Sequence, residues 1–179
     1  MSSTETQTPL VVGVVYERGE PIRDVMRDFV DSLKAEGLNV HGILQEKPEG
    51  VDMSTAGCGV DAIDINTNNK VALVRPTQYE LDNNICSMDL SRLAEAAQIL
   101  RRAISDSADI VVVEKFGKHE KDGGGLSDDL MAVISEPIPT VVSVPKDELA
   151  SWCTFTGGMD VQVDCDLQAL QGWWEKAHA

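Results

Sequence analysis

Cationic side chains are scarce in this sequence: 15 Lys and Arg stand against 30 Asp and Glu, for a formal net charge of −15. That balance argues against a nucleic-acid partner, because binding DNA or RNA rests on neutralising phosphates with Lys and Arg. The acidity reads instead as a solvated surface that repels non-specific partners, with adaptation to a salt-rich cytoplasm as the alternative. Long apolar runs are also missing. Ile110–Val113 and Val141–Val144 are strand-sized, far short of the roughly 20 residues that cross a bilayer, so no membrane partner is expected. The four cysteines, Cys58, Cys86, Cys153 and Cys165, form no Cys-x-x-Cys pair, which speaks against a zinc ribbon or a thioredoxin-like motif and for reduced thiols. Met1–Pro9 lacks the basic start and apolar stretch of a secretory signal; it reads as a disordered lead, and a cytoplasmic location is expected.

What remains is an ordinary globular composition, 42% hydrophobic and 25% charged over 179 residues. That length suits a single α/β domain over residues 10–179 with a substantial core. Leu10–Tyr16 is an unbroken apolar run of strand length. Ile22, Val25, Met26, Phe29, Val30 and Leu33 then recur at helical spacing, and Leu38–Leu44 returns as a strand, a βαβ unit. Between about 58 and 76 the period drops to two, with Asn66-Thr-Asn-Asn69 between the runs, the pattern of an inserted β-hairpin. Residues 76–88 read as irregular. A long helix on Leu90, Leu93, Ala97, Leu100 and Ile104, capped by Ser87 or Asp89, leads into the strand Ile110–Val113. A helix over Leu126–Ile134, a strand over Pro137–Val144, a short helix near Lys146–Trp152 and a last helix over Asp166–Trp174 complete the chain. Strands that read as continuous Val/Ile/Leu runs and alternate with helices predict a mostly parallel sheet covered on both faces, a three-layer α/β/α sandwich.

In such sheets ligands sit outside the carboxyl ends of the strands. The first loop there, Tyr16-Glu-Arg-Gly-Glu-Pro21, occupies the place of a phosphate-binding P-loop but has only Gly19 of the pattern G-x-x-x-x-G-K-[ST], with no Lys and no hydroxyl. Arg18, Arg23 and the helix start at Ile22 can hold an anion; the alternative is a plain polar turn. The second loop, Glu114–Gly125, reverses the local sign of charge with Lys115, Lys118, His119 and Lys121, and Gly123, Gly124 and Gly125 let backbone approach a ligand. It reads either as an anion site or as flexible surface. Glu114 and Glu120 are its candidate acids. His119 has no partner for a metal, since His41 falls in the second strand and His178 in the tail. Cys58 and Cys86 flank the hairpin as a thiol pair, as soft metal ligands or as small buried hydrophobes. Trp152, Phe155, Trp173 and Trp174, half of the eight aromatics, serve core packing, a ligand-stacking face or a subunit contact.

Taken in order, these features resemble a known family: Val14-Val-Tyr16 with Gly19, Cys58 and Asp64, Cys86 before Leu90, Ala108-Asp-Ile-Val-Val-Val-Glu-Lys-Phe-Gly-Lys-His-Glu120 with Gly123–Leu126, Ile138-Pro139, and Phe155-x-Gly-Gly158. The family is bacterial, catalogued as a domain of unknown function, associated with molybdenum-uptake genes, and similar in layout to small P-loop nucleoside triphosphatases. The resemblance implies that fold. It places Glu114 and Glu120, as strand-end acid and Gly-x-x-Glu, at a nucleotide site, and makes molybdate or tungstate an alternative ligand. The expectation is a non-hydrolytic binding protein for a nucleotide or another oxyanion, with a degenerate P-loop-like site drawn from Arg18, Gly19, Arg23, Lys115, Lys118, His119 and Gly123–Gly125. A weak nucleoside triphosphatase using Glu114 or Glu120 is the enzyme alternative, and only then does Mg²⁺ enter. An accessory module with a vestigial site, binding a protein partner or a second copy through the aromatic tail or the acidic faces, is the third.

Overall fold

A computed structural model describes residues 8–49, 59–85 and 87–179. Strand β1 (Val11–Tyr16) leads through helix α1 (Ile22–Ala35) to β2 (Val40–Glu46). The six apolar residues of α1 noted above are all buried, so its spacing is read out as one continuous face against the sheet. The hairpin follows as β3 (Val60–Asp64) and β4 (Lys70–Val74). Its turn is organised by Asp64, whose carboxylate accepts from the Asn66 N–H at 3.0 Å and from Thr67 Oγ1 at 2.9 Å. Helices α2 (Gln78–Asp82) and α3 (Leu90–Ser105) precede β5 (Ile110–Val113); α4 (Lys118–Lys121) and α5 (Ser127–Ile134) precede β6 (Thr140–Pro145). A 3₁₀ turn (Lys146–Glu148), α6 (Leu149–Thr156), β7 (Asp160–Asp164) and α7 (Leu167–Ala177) end the chain.

The sheet runs β4-β3-β2-β5-β6-β1-β7. Five strands, β2, β5, β6, β1 and β7, are parallel, and the hairpin extends one edge in antiparallel fashion. Side chains alternate between two cores. Val12, Val14, Val112 and Val141 face α1 and α7, whereas Val111, Val113, Val142 and Val144 face α3, α5 and α6. This is the expected three-layer sandwich with its inserted hairpin. The aromatic tail lies in these cores: Trp152 is fully buried, and Trp173 and Trp174 nearly so. Trp152 lies so close over β1 that a Cβ at Gly13 would come within 2.8 Å of its Nε1, and that nitrogen donates to Asp160 Oδ2 at 2.8 Å.

Three local expectations change. Gln78–Asp82 is helical, not irregular, because Thr77 and Glu80 form a reciprocal capping box, Thr77 N–H donating to Glu80 Oε2 at 2.7 Å and Glu80 N–H to Thr77 Oγ1 at 3.3 Å. Strand β6 starts at Thr140 and not Pro137, since Pro137 and Pro139 have no N–H for the ladder. Beyond the Gly157–Gly158 break lies a seventh strand, β7, that the apolar-run criterion passes over.

Candidate functional site

The loops that leave β1, β2, β5 and β6 meet at the carboxyl ends of the parallel strands. After β1 the chain closes on itself. Glu20 N–H donates to the Glu17 carbonyl at 3.1 Å, and Glu17 N–H donates to Glu20 Oε2 at 2.6 Å, with Gly19 at φ +95° between them. The turn therefore carries a carboxylate of its own on an amide that a phosphate cradle would leave open. Glu17 pairs with Lys146 at the start of the 3₁₀ turn. Arg18 stands exposed at the tip and, with Arg23, Lys47, Glu114 and Lys115, lines an open groove of ≈ 700 Å³.

The loop after β5 is anchored, not loose. Glu114 is only 4% exposed; its Oε2 accepts from Gln45 N–H at 2.8 Å, and its Oε1 lies 3.8 Å from Arg23 Nε. The peptide joining it to Lys115 is cis. Phe116 turns inward, fully buried against Trp152 and Phe155 with ring centroids 5.3 and 5.2 Å away, and its N–H donates to the Ser143 carbonyl at 3.0 Å. Glu120 is buried too, and both its oxygens are engaged: Oε2 accepts from Gly117 N–H at 3.0 Å and Oε1 from Leu126 N–H at 3.1 Å. It is a brace across the loop. Gly125 passes so close to that carboxylate, at φ +58°, that a Cβ there would collide with it. The amides of Gly123 and Gly124 donate to the carbonyls of Glu120 and His119, so they close the turn instead of facing a ligand.

Burial pushes the Glu114 carboxyl above its ordinary value, against the Gln45 N–H and the charges of Arg23, Lys115 and Arg27, which pull it down. Burial, then repulsion by Glu114, raises Tyr16 beside it to about 12. A carboxyl raised in the folded chain contributes stability that is complete below its unfolded value and disappears as pH rises through the folded one. Glu114→Gln is therefore expected to gain stability over the parent chain towards neutral pH, the difference closing in acid. Urea midpoints of both proteins at about pH 4 and about pH 8 check this; a difference that does not widen with pH would contradict it.

A second cavity, ≈ 310 Å³, adjoins the groove and shares Arg23, Glu114 and Lys115 with it. Lys118 and His119 stand on its rim, both exposed, while Ile43, Leu73, Val74 and Leu126 form its wall. Lys115 lines this cavity, the groove and a ≈ 570 Å³ extension towards Lys146. Among the described residues Glu148 and Glu17 pair with Lys121 and Lys146, which leaves Arg18, Lys47, Lys115 and Lys118, of the cations that line these cavities, without an ion pair. Sequence reasoning passed over Arg27, Lys47 and Gln45. Arg27 follows Arg23 by one helical turn and Lys47 directly follows a strand, so spacing alone carried a signal for both; nothing marked Gln45, which acts through its backbone.

Among the described residues no group of three His, Cys, Asp or Glu is placed to hold a metal. Cys153 and Cys165 are half-buried free thiols, Cys165 raised by burial. Cys58 and Cys86 lie outside the described residues. His41 is buried in β2, where desolvation lowers its pKa. No helix among the described residues is long and apolar enough to cross a membrane.

Comparison with known proteins adds three findings. Residues 11–173 match a sequence family described as a protein of unknown function, DUF2478. Over 164 residues the chain is 30% identical to the molybdenum import ATP-binding protein ModC 2 of Bradyrhizobium diazoefficiens; the match takes in 92% of this chain but spans only 18% of that protein's length. The solution structure of a human cancer-related nucleoside triphosphatase superposes with a TM-score of 0.63, covering 86% of this chain and 87% of that one at 18% identity, so the two share their fold.

Proposed function

Since the chain belongs to the DUF2478 family, we propose that it is a binding protein for a small anion, with a nucleotide as the leading ligand and a molybdate- or tungstate-type oxyanion as the alternative. The observation that carries this reading is the gathering of Arg18, Arg23, Lys115 and Lys118 around connected cavities at the carboxyl ends of parallel strands, in a chain of net charge −15. Glu17, Glu20, Asp24 and Glu114 also line the groove, but Glu17 is paired with Lys146 and Glu20 is engaged by the Glu17 amide, so the unpaired Arg18, Lys115 and Lys118 remain to attract an anion. The ATP-binding description of the ModC relative supports the nucleotide. Non-hydrolytic binding is supported by the first loop, which lacks the Lys and hydroxyl of a P-loop and caps its own amide with Glu20.

Thermal shift with ATP, GTP, phosphate, molybdate and tungstate tests the reading. A ligand at a hundredfold its Kd adds about 2.7 kcal/mol of stability. Lys115→Ala is expected to weaken the responding ligand by about tenfold or more, the worth of a hydrogen bond to a charged group, with the fold unchanged because Lys115 is exposed. Silence across the panel overturns anion binding in favour of an interaction module. The buried Glu114 at a strand end favours one other reading, hydrolysis: phosphate release that requires Mg²⁺ and is lost in Glu114→Gln would make the protein an enzyme.

A further inference from the structure

Behind its cationic rim the ≈ 310 Å³ cavity turns apolar. Ile43, Leu73, Val74 and Leu126 belong to the core on the α3 side of the sheet, and Met88 and Leu93 pack against it. A bare oxyanion makes no use of such a wall, whereas a ring gains by leaving water for it. Glu114 stands where the two cavities join. Its Oε2 accepts one hydrogen bond, from Gln45 N–H, and Oε1 has only Arg23 Nε, at 3.8 Å and beyond hydrogen-bond range. Oε1 is not sealed off within the protein, so it is free to accept from a donor that enters the cavity.

Resting on the anion reading above, we propose that this cavity is a base pocket: it takes the heterocycle of a guanine nucleotide, whose ring N–H and amino donors meet Glu114, while the phosphate lies in the adjoining groove near Arg23 and Lys115. At ≈ 310 Å³ the cavity stands at the lower end of the range of about 300 to about 1,000 Å³ for small-ligand sites, room for a heterocycle with the rest of a nucleotide left to the groove. The ring occupies the smaller cavity and the sugar and phosphate extend into the groove of ≈ 700 Å³. Guanine is favoured because it presents two adjacent donors, one for the open Oε1 and one for the second lone pair of Oε2 beside the Gln45 N–H, whereas adenine presents a single amino group.

Calorimetric titration of the full chain with GMP, AMP and inorganic phosphate tests this. GMP is expected to bind at least about tenfold more tightly than either AMP or phosphate, the scale of discrimination by a paired hydrogen-bond contact. Leu73→Trp fills the cavity and should bring GMP down to the affinity of phosphate, leaving phosphate itself unchanged. Should that variant fail to fold, Glu114→Gln serves, with loss of the preference for GMP over AMP as the expected result. Equal affinity for GMP and phosphate overturns the base pocket and leaves the anion site standing. Equal affinity for GMP and AMP, both above phosphate, overturns the guanine contact with Glu114. No binding of any of the three overturns the pocket, and the anion reading on which it rests falls with it only if ATP, GTP, molybdate and tungstate are silent as well.

Discussion

Phe116→Ala is expected to lower the stability of the chain by about 3–5 kcal/mol, the range for truncating a fully buried aromatic ring. Phe116 belongs to a stretch rich in Lys and Gly, a composition that ordinarily tolerates substitution, yet its ring is enclosed between Trp152 and Phe155. Removing it leaves a void that the α6 side of the core fills only in part. The functional loss should exceed what global stability accounts for. Phe116 is the inward anchor between Lys115 and Lys118, so its removal loosens the two cations that face the cavity. Urea denaturation gives the first quantity, and ligand titration under conditions where the variant is still folded gives the second. A stability loss below about 1 kcal/mol would mean that the loop does not depend on this ring.

The second large effect is expected at Glu120. Alanine there strands the N–H groups of Gly117 and Leu126, and each buried amide deprived of its acceptor costs about 1–3 kcal/mol, so the sum is about 2–6 kcal/mol. Glu120→Gln keeps one acceptor and should lose no more than about half as much. Gly125→Ala attacks the same joint from the other side, by crowding the carboxylate and by forcing a side chain to positive φ. A brace predicts that these substitutions act on the unfolding midpoint first, and on ligand affinity only as the loop loosens. If Glu120→Ala leaves the midpoint untouched while abolishing function, the side chain belongs to the chemistry instead.

The fold class was legible because β1 and β5 are unbroken apolar runs and β6 is a run of valines interrupted only at Ser143, which a sheet covered on both faces can bury, and because α1 repeats its apolar residues at the helical period. The hairpin was legible from its change of period and its Asn-rich turn. Strand β7 was not. Asp160-Val-Gln-Val-Asp164 offers two apolar residues, and its place at the sheet edge leaves every residue half-buried or exposed, so pattern and burial are both weak. Helix α2 was hidden because two capping side chains define it and no apolar face does. At the site, the charge reversal of Glu114–Gly125 marked the right loop but not the division of labour within it. Glu114 and Glu120 look alike in sequence. They differ in what surrounds them: one has an oxygen open beside a cavity, and the other is satisfied by amides three and six residues further along or back in the chain, which no residue type announces.

The strand order has a consequence for the order of assembly. β1 is made early, yet its two neighbours are β6 and β7, which come last. On a ribosome adding about 5–20 residues per second, Val11–Tyr16 waits for many seconds without a partner strand on either side, while β2, the hairpin and β5 can already pair with one another. The apolar strand, and the part of the α1 face that does not pack on β2, are exposed throughout that interval, which is when the nascent chain is most open to aggregation or to capture by a chaperone. Completion of the sheet, and with it the groove between β1 and β5, waits for β6 and β7.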